Sequence, residues 1–102
     1  QAKKYMAQCF RQPLSLEDVA QKVHLSPFYL SRLFKESEGI NFIDYLTNLR
    51  IEEGKRLLLQ TTDTIAVIAE AVGYGEANYF SRLFRRQVGV SPSQYRQKRK
   101  SN

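Results

Sequence analysis

A single cysteine, a single histidine and no tryptophan leave this 102-residue chain little from which to build a metal or redox centre. Cys9 has no partner for an internal disulfide, which suits a reducing cytoplasm, and a small buried hydrophobe is its expected role. One His and one Cys cannot supply a ligand cluster by spacing, and no glycine-rich phosphate loop is present. The acidic residues are scattered or lie a turn from bases, so no catalytic residue, metal or cofactor is expected and an enzyme is disfavoured. No apolar run approaches the roughly 18 to 20 residues of a membrane span, and no signal-peptide core precedes the domain. No segment alternates apolar and polar residues with period two, which excludes a sheet. The chain also lacks an initiating Met and begins inside a helical pattern, as a fragment of a longer protein with an upstream sensing domain would.

What is plentiful is positive charge. Sixteen basic against ten acidic residues give a formal net charge of +6, which points to an acidic polymer and first of all to nucleic acid. Net charge alone leaves RNA or an acidic protein as the alternative partner.

The stretch Phe42 to Gln60 reads as one uninterrupted helix with two apolar stripes. Phe42, Tyr45, Leu46 and Leu49 recur at i, i+3, i+4, i+7, and Ile51, Gly54, Leu57 and Leu58 form a second set rotated roughly 120° about the axis. Such a helix has to pack against two bodies. What precedes it is repeated after it: Leu16–Val23 matches Ile65–Val72 at an offset of 49, and Tyr29–Phe34 matches Tyr79–Phe84 at 50. Two copies are too few for a solenoid, which needs about three. The chain is therefore expected to be all-α, with seven helices in two helix-turn-helix modules, 1–41 and 61–102, joined by a connecting helix over 42–60.

In chain order, Ala2, Tyr5, Met6, Cys9 and Phe10 line a first helix that Pro13 stops. Ser15 with Asp18 caps a short second helix carrying Leu16, Val19, Ala20 and Val23. His24 and Leu25 form the turn, with His24 where glycine stands in the second copy, as a residue tolerant of the left-handed backbone. Ser26-Pro27 opens a third helix over about 27–37, whose inward positions are Leu30, Leu33, Phe34 and Ser37. In the second module Thr64 caps a helix bearing Ile65, Ile68, Ala69 and Val72 that Gly73 ends, and a sixth helix over about 76–87 buries Phe80, Leu83, Phe84 and Gln87. Ser91-Pro92-Ser93-Gln94 starts a last helix that carries Tyr95 and runs out into a solvated basic tail of Arg96, Lys98, Arg99 and Lys100.

A helix, a tight turn and a second helix is the plan of major-groove binding. On the outer face of the third helix lie Phe28, Ser31, Arg32 and Lys35, and the repeat carries them onto Asn78, Ser81, Arg82 and Arg85. Arg can pair with guanine, Asn with adenine, and Phe can lie on a thymine methyl. The bland alternative for Arg32 and Arg82 is an exposed ion pair of little energetic weight. Ser26, Lys35, Ser81, Arg85 and Arg86 are the expected phosphate contacts.

Arg50-Ile-Glu-Glu-Gly-Lys-Arg-Leu-Leu58, Ile68-Ala69, Gly73-Tyr74, Tyr79-Phe80-Ser-Arg-Leu-Phe84, Gly89-Val-Ser-Pro92 and Tyr95-Arg96 together resemble the DNA-binding domain of the AraC/XylS family of bacterial transcription regulators. The resemblance covers nearly the whole chain. It implies sequence-specific binding to double-stranded promoter DNA and regulation of transcription, usually activation through RNA polymerase. Carried over position by position, its base-reading sites fall on Phe28, Ser31 and Arg32, and on Ala77, Asn78, Tyr79 and Arg82, although Ala77 is too short for a base-edge hydrogen bond. Gly54 stands where alanine is common in the family. Tyr5, Leu16 and Phe28-Tyr29-Leu30 look most like the branch joined to two-component receiver domains. Nineteen residues of connecting helix span about 28 Å, so two unlike half-sites about one helical turn apart are expected.

Overall fold

The structure, a computed structural model, describes the backbone of residues 1–100 and the side chains of residues 1–98. Among the described residues there are seven α-helices and no strand: α1 (Ala2–Cys9), α2 (Leu16–Lys22), α3 (Pro27–Glu38), α4 (Phe42–Gln60), α5 (Ile65–Ala71), α6 (Ala77–Val88) and α7 (Pro92–Lys100). The chain divides into two compact units, residues 1–49 and 50–102, and α4 runs without a break from one into the other.

Five of the helices, α2, α3, α4, α5 and α7, begin where a side chain accepts from a free backbone N–H group. The Ser15 hydroxyl accepts from the Asp18 N–H at 3.0 Å and the Asp18 carboxylate from the Ser15 N–H at 3.1 Å, a reciprocal capping box. Ser91 and Gln94 repeat the arrangement at the head of α7, at 3.1 and 3.0 Å. Ser26 and Thr64 each cap the N–H three residues on, at 3.1 and 3.2 Å.

Both helix-turn-helix turns have the same hydrogen-bonded skeleton. After α2 the N–H of His24 donates to Gln21 and that of Leu25 to Ala20; after α5 the N–H of Gly73 donates to Glu70 and that of Tyr74 to Ala69. This paired pattern needs a left-handed residue between helix and turn. Gly73 supplies it at φ 109°, and His24 does so at φ 61°, the only non-glycine with positive φ among the described residues. His24 thus takes the left-handed turn position expected of it from the repeat.

Each unit has its own apolar cluster, and α4 contributes to both. Phe42 and Leu46 are buried with Met6, Phe10, Val19, Ala20, Leu30 and Phe34. Ile51 and Leu58 are buried with Ile68, Ala69, Val72, Tyr74, Phe80, Leu83 and Phe84. At about 1.5 to 3 kcal/mol for each large side chain taken out of water, these clusters dominate the stability of their units. In the first cluster the Phe34 ring meets Phe42 and Tyr45 edge-on at 5.9 and 5.2 Å.

Four expectations need correction. Ser37 and Gln87 are exposed, and the residue after each one, Glu38 and Val88, turns inward instead. Val88 is apolar and packs on the second cluster, where a buried Gln87 amide would have needed partners. Glu38 is half-buried because it anchors α1: Lys3 lies 3.1 Å from its carboxylate. The Ser37 hydroxyl and the Lys3 ammonium together hold that carboxyl below its usual range. Cys9 is half-buried rather than buried.

The last correction concerns Arg96, which was expected in a solvated tail. Its guanidinium donates to the carbonyls of Leu58 at 2.9 Å, Thr61 at 3.1 Å and Asp63 at 2.7 Å. Placed there it satisfies carbonyls that the end of α4 leaves free and sets a cation at the negative end of the helix. Lys98 is exposed as expected, while the side chains of Arg99 and Lys100 lie outside the described residues.

Gly54 tests the packing of α4. A Cβ at this position would sit 2.9 Å from Cζ and 3.1 Å from Cε1 of Phe80. That ring is fully buried, with Tyr74 and Phe84 at 6.2 and 5.7 Å, so it has little room to give. Alanine improves helix propensity by about 1 kcal/mol, whereas overpacking costs about 1 to 3 kcal/mol. Gly54→Ala should therefore destabilise the protein by about 1 kcal/mol and lower its melting temperature; a higher one would show that the ring moves aside.

Candidate nucleic-acid interface

In each unit the second helix of the helix-turn-helix presents a polar outer face, held from beneath by buried aromatic and leucine side chains. On α3, Leu30 and Phe34 are buried while Phe28, Arg32 and Lys35 are exposed. Phe28 is 75% exposed, the most exposed of the large hydrophobic residues. A solitary phenyl ring in water on the helix expected to meet DNA suits an apolar contact to a thymine methyl. Ser31, expected to face outward, is half-buried on the flank of the helix. The Ser26 hydroxyl already accepts the Tyr29 N–H and keeps its own proton available to donate to a phosphate.

On α6, Phe80, Leu83 and Phe84 are buried, and Asn78, Arg82, Arg85 and Arg86 are exposed. Tyr79 is 45% exposed. Ser81 is half-buried like Ser31, and Ala77 is half-buried against the cluster beneath the helix. With its methyl turned partly to the core, Ala77 is the weakest of the expected base contacts.

The two faces differ in charge. On the outer face of α3 Arg32 and Lys35 stand beside Glu36, with Glu38 turned inward to Lys3, whereas α6 carries Arg82, Arg85 and Arg86 and no acidic residue. The contrast extends to whole units: residues 1–49 hold six basic and five acidic side chains, residues 50–102 ten and five. Net charges of +1 and +5 make the second unit the stronger attractor of a phosphate backbone.

Arg32 and Arg82 also have different neighbours. Arg32 has an ion pair with Glu36 one turn on, at 3.8 Å and with both side chains more than half exposed. That geometry is worth little, so Arg32 can exchange it for a base or phosphate. The position equivalent to Glu36 in α6 is Arg86, and Arg82 leans instead over the ring of Tyr79, 5.7 Å from its centroid. Tyr79 in turn meets the ring of Tyr74 edge-on at 5.5 Å, and the largely buried Arg50 lies 4.9 Å from the Tyr74 centroid on α4. Neither Tyr74 nor Arg50 was singled out from the sequence as part of the site. The available signal was the replacement of Leu25 by Tyr74 between the two copies. Among the described residues no group of three or more His, Cys, Asp or Glu could hold a metal, and no helix is long and apolar enough to cross a membrane.

Two helix-turn-helix modules built on one shared helix, each with an exposed second helix, define a double helix-turn-helix DNA-binding domain. A model of the helix-turn-helix domain matches residues 19–98. The chain is 47% identical to the C-terminal domain of AraT, a response regulator from Geobacillus stearothermophilus, over 95% of this chain and 81% of that one, with a TM-score of 0.92. It is 33% identical to a transcriptional regulator of the AraC-type DNA-binding class from Chromobacterium violaceum, over 96% and 88% of the two chains, with a TM-score of 0.91. AdaA of Bacillus subtilis (strain 168), a bifunctional transcriptional activator/DNA repair enzyme, is 37% identical over 93 residues, or 91% of this chain and 44% of AdaA. The chain belongs to the AraC-type helix-turn-helix family of transcription regulators. It spans less than half the length of the curated relatives it matches.

Arg82→Ala should cost about 1 to 3 kcal/mol on a preferred duplex and relax preference at one base position. Lys35→Ala should weaken preferred and scrambled duplexes alike. Binding measured on both duplexes checks the pair, and equal losses for Arg82→Ala would make that residue a phosphate contact.

Proposed function

We propose that this domain binds double-stranded promoter DNA sequence-specifically by placing α3 and α6 in adjacent major grooves, and that it serves a bacterial transcription regulator acting in the cytoplasm. The observation that carries the reading is the pair of exposed second helices: each puts base-reading chemistry outward and buries its opposite face in its own cluster. In this reading Phe28, Ser31 and Arg32 meet one half-site, and Asn78, Tyr79 and Arg82, with a marginal Ala77, meet the other. Ser26, Lys35, Ser81, Arg85 and Arg86 hold the flanking phosphates. Because Phe28 and Asn78 stand at equivalent places with different chemistry, the half-sites differ in sequence and the whole site is asymmetric.

Activation, with RNA polymerase as a partner, is the regulatory outcome most in keeping with the family. The likeness to AraT, itself a response regulator, supports a receiver domain upstream of this one. Catalysis has no place in the reading. AdaA is named for a repair activity as well, but this chain spans only 44% of that protein.

Competition between a duplex selected from a random pool and a scrambled duplex of equal composition tests the proposal, repeated across salt concentration. The selected duplex should win, and affinity should fall with salt by about 0.9 logarithmic units per decade for every phosphate neutralised. Equal competition, tighter binding to RNA or a flat salt response would contradict it.

A further inference from the structure

We infer that Tyr74 is a positioning residue for Arg82, holding that guanidinium in a base-reading pose before DNA arrives. The inference rests on the reading of Arg82 as a base contact and goes beyond it by assigning a role to a residue that faces away from the groove.

Gly73 at φ 109° and the 2.8 Å hydrogen bond from the Tyr74 N–H to the Ala69 carbonyl fix where Tyr74 leaves the backbone. Tyr74 is 8% exposed as a whole, and its ring is closed in by the Arg50 guanidinium at 4.9 Å and the Phe80 ring at 6.2 Å. The remaining edge contact is with Tyr79, whose ring stands at 75° to it with centroids 5.5 Å apart. Tyr79 thus has a fixed support on the core side and offers its own ring to Arg82 at 5.7 Å. A guanidinium over an aromatic ring keeps its donors free in the ring's periphery, unlike one engaged by a carboxylate.

The first module is the internal control. Leu25 stands in the place of Tyr74, and the arginine equivalent to Arg82, Arg32, is paired with Glu36 instead. In α6 the equivalent of Glu36 is Arg86, which repels Arg82, so that an i+4 partner is lost and the ring stack takes its place. An arginine already held in its binding pose loses less side-chain freedom on contact with a base, and that saving appears only where the base is correct.

The test uses the whole protein with a duplex selected by the wild type from a random pool and a scrambled duplex of equal composition. Tyr74→Leu, which copies the first module, should lower the ratio of selected to scrambled affinity about tenfold while leaving scrambled affinity unchanged. Tyr74→Phe keeps the ring and should keep the ratio. In an Arg82→Ala background, Tyr74→Leu should change the ratio no further. An unchanged ratio for Tyr74→Leu, equal losses on both duplexes, or a full effect without Arg82 would overturn the inference. Should Tyr74→Leu fail to fold, side-chain relaxation in the free wild-type protein decides: the Arg82 Nε–H should be more ordered than those of Arg85 and Arg86, and equal disorder would overturn the inference. A wild type that selects no duplex would overturn the DNA-binding reading, and with it any role of Tyr74 in specificity, whatever the relaxation data show.

Discussion

Everything in this chain depends on one helix burying two apolar stripes that point in different directions. Neither half of α4 could stay helical on its own account, since nine or ten residues are too few to hold a helix in water without packing. Phe42 and Leu46 close the first cluster, and Ile51, Gly54 and Leu58 close the second. The second closure is the tighter, because Phe80 occupies the space that a side chain at position 54 would fill. Arg96 adds a polar lock by capping the end of α4 from α7. Each recognition helix is in turn seated on the cluster that α4 helps to close, through Leu30 and Phe34 in one unit and Phe80 and Phe84 in the other.

On that shared support the two modules keep their turns and change their surfaces. The turn hydrogen bonds correspond one for one, because a sharp helix-to-helix angle leaves the backbone few solutions. The outer faces are under no such constraint. One carries two basic residues, a glutamate and a bare phenylalanine; the other carries three arginines, one of them over a tyrosine ring, an asparagine and no acidic residue. The second module is therefore the more strongly basic of the two.

Much of this was legible in the residues, and for physical reasons. Caps at Ser15, Ser26, Thr64 and Ser91 involve hydrogen bonds within three residues, so local sequence determines them. The left-handed turn at His24 could be read because Gly73 marks the same place in the other copy. Periodicity revealed both stripes of α4. Contacts between residues distant in the chain were less visible. Periodicity gives each residue an angle but not what lies above it, which is why Ser37 and Gln87 were misplaced by one position. Nothing near Arg96 in sequence announces carbonyls 33 to 38 residues away. The same holds for Arg50 and Tyr74, which meet only once α4 and the second turn have packed. The outward faces of Phe28, Arg32, Asn78 and Arg82 followed directly from helical spacing, whereas Ser31, Ala77 and Ser81 lie on the flanks, where spacing alone does not decide exposure.

Under the proposed reading one domain meets two different half-sites at once, α3 on one and α6 on the other, and both units share the unbroken helix α4. Inserting five base pairs between the half-sites of a selected duplex measures this most directly, since half a helical turn carries one groove to the far side while leaving both sequences intact. Affinity should fall to that of a duplex with one half-site scrambled. Unchanged affinity after the insertion, or a palindromic site bound only by a dimer, would contradict that reading.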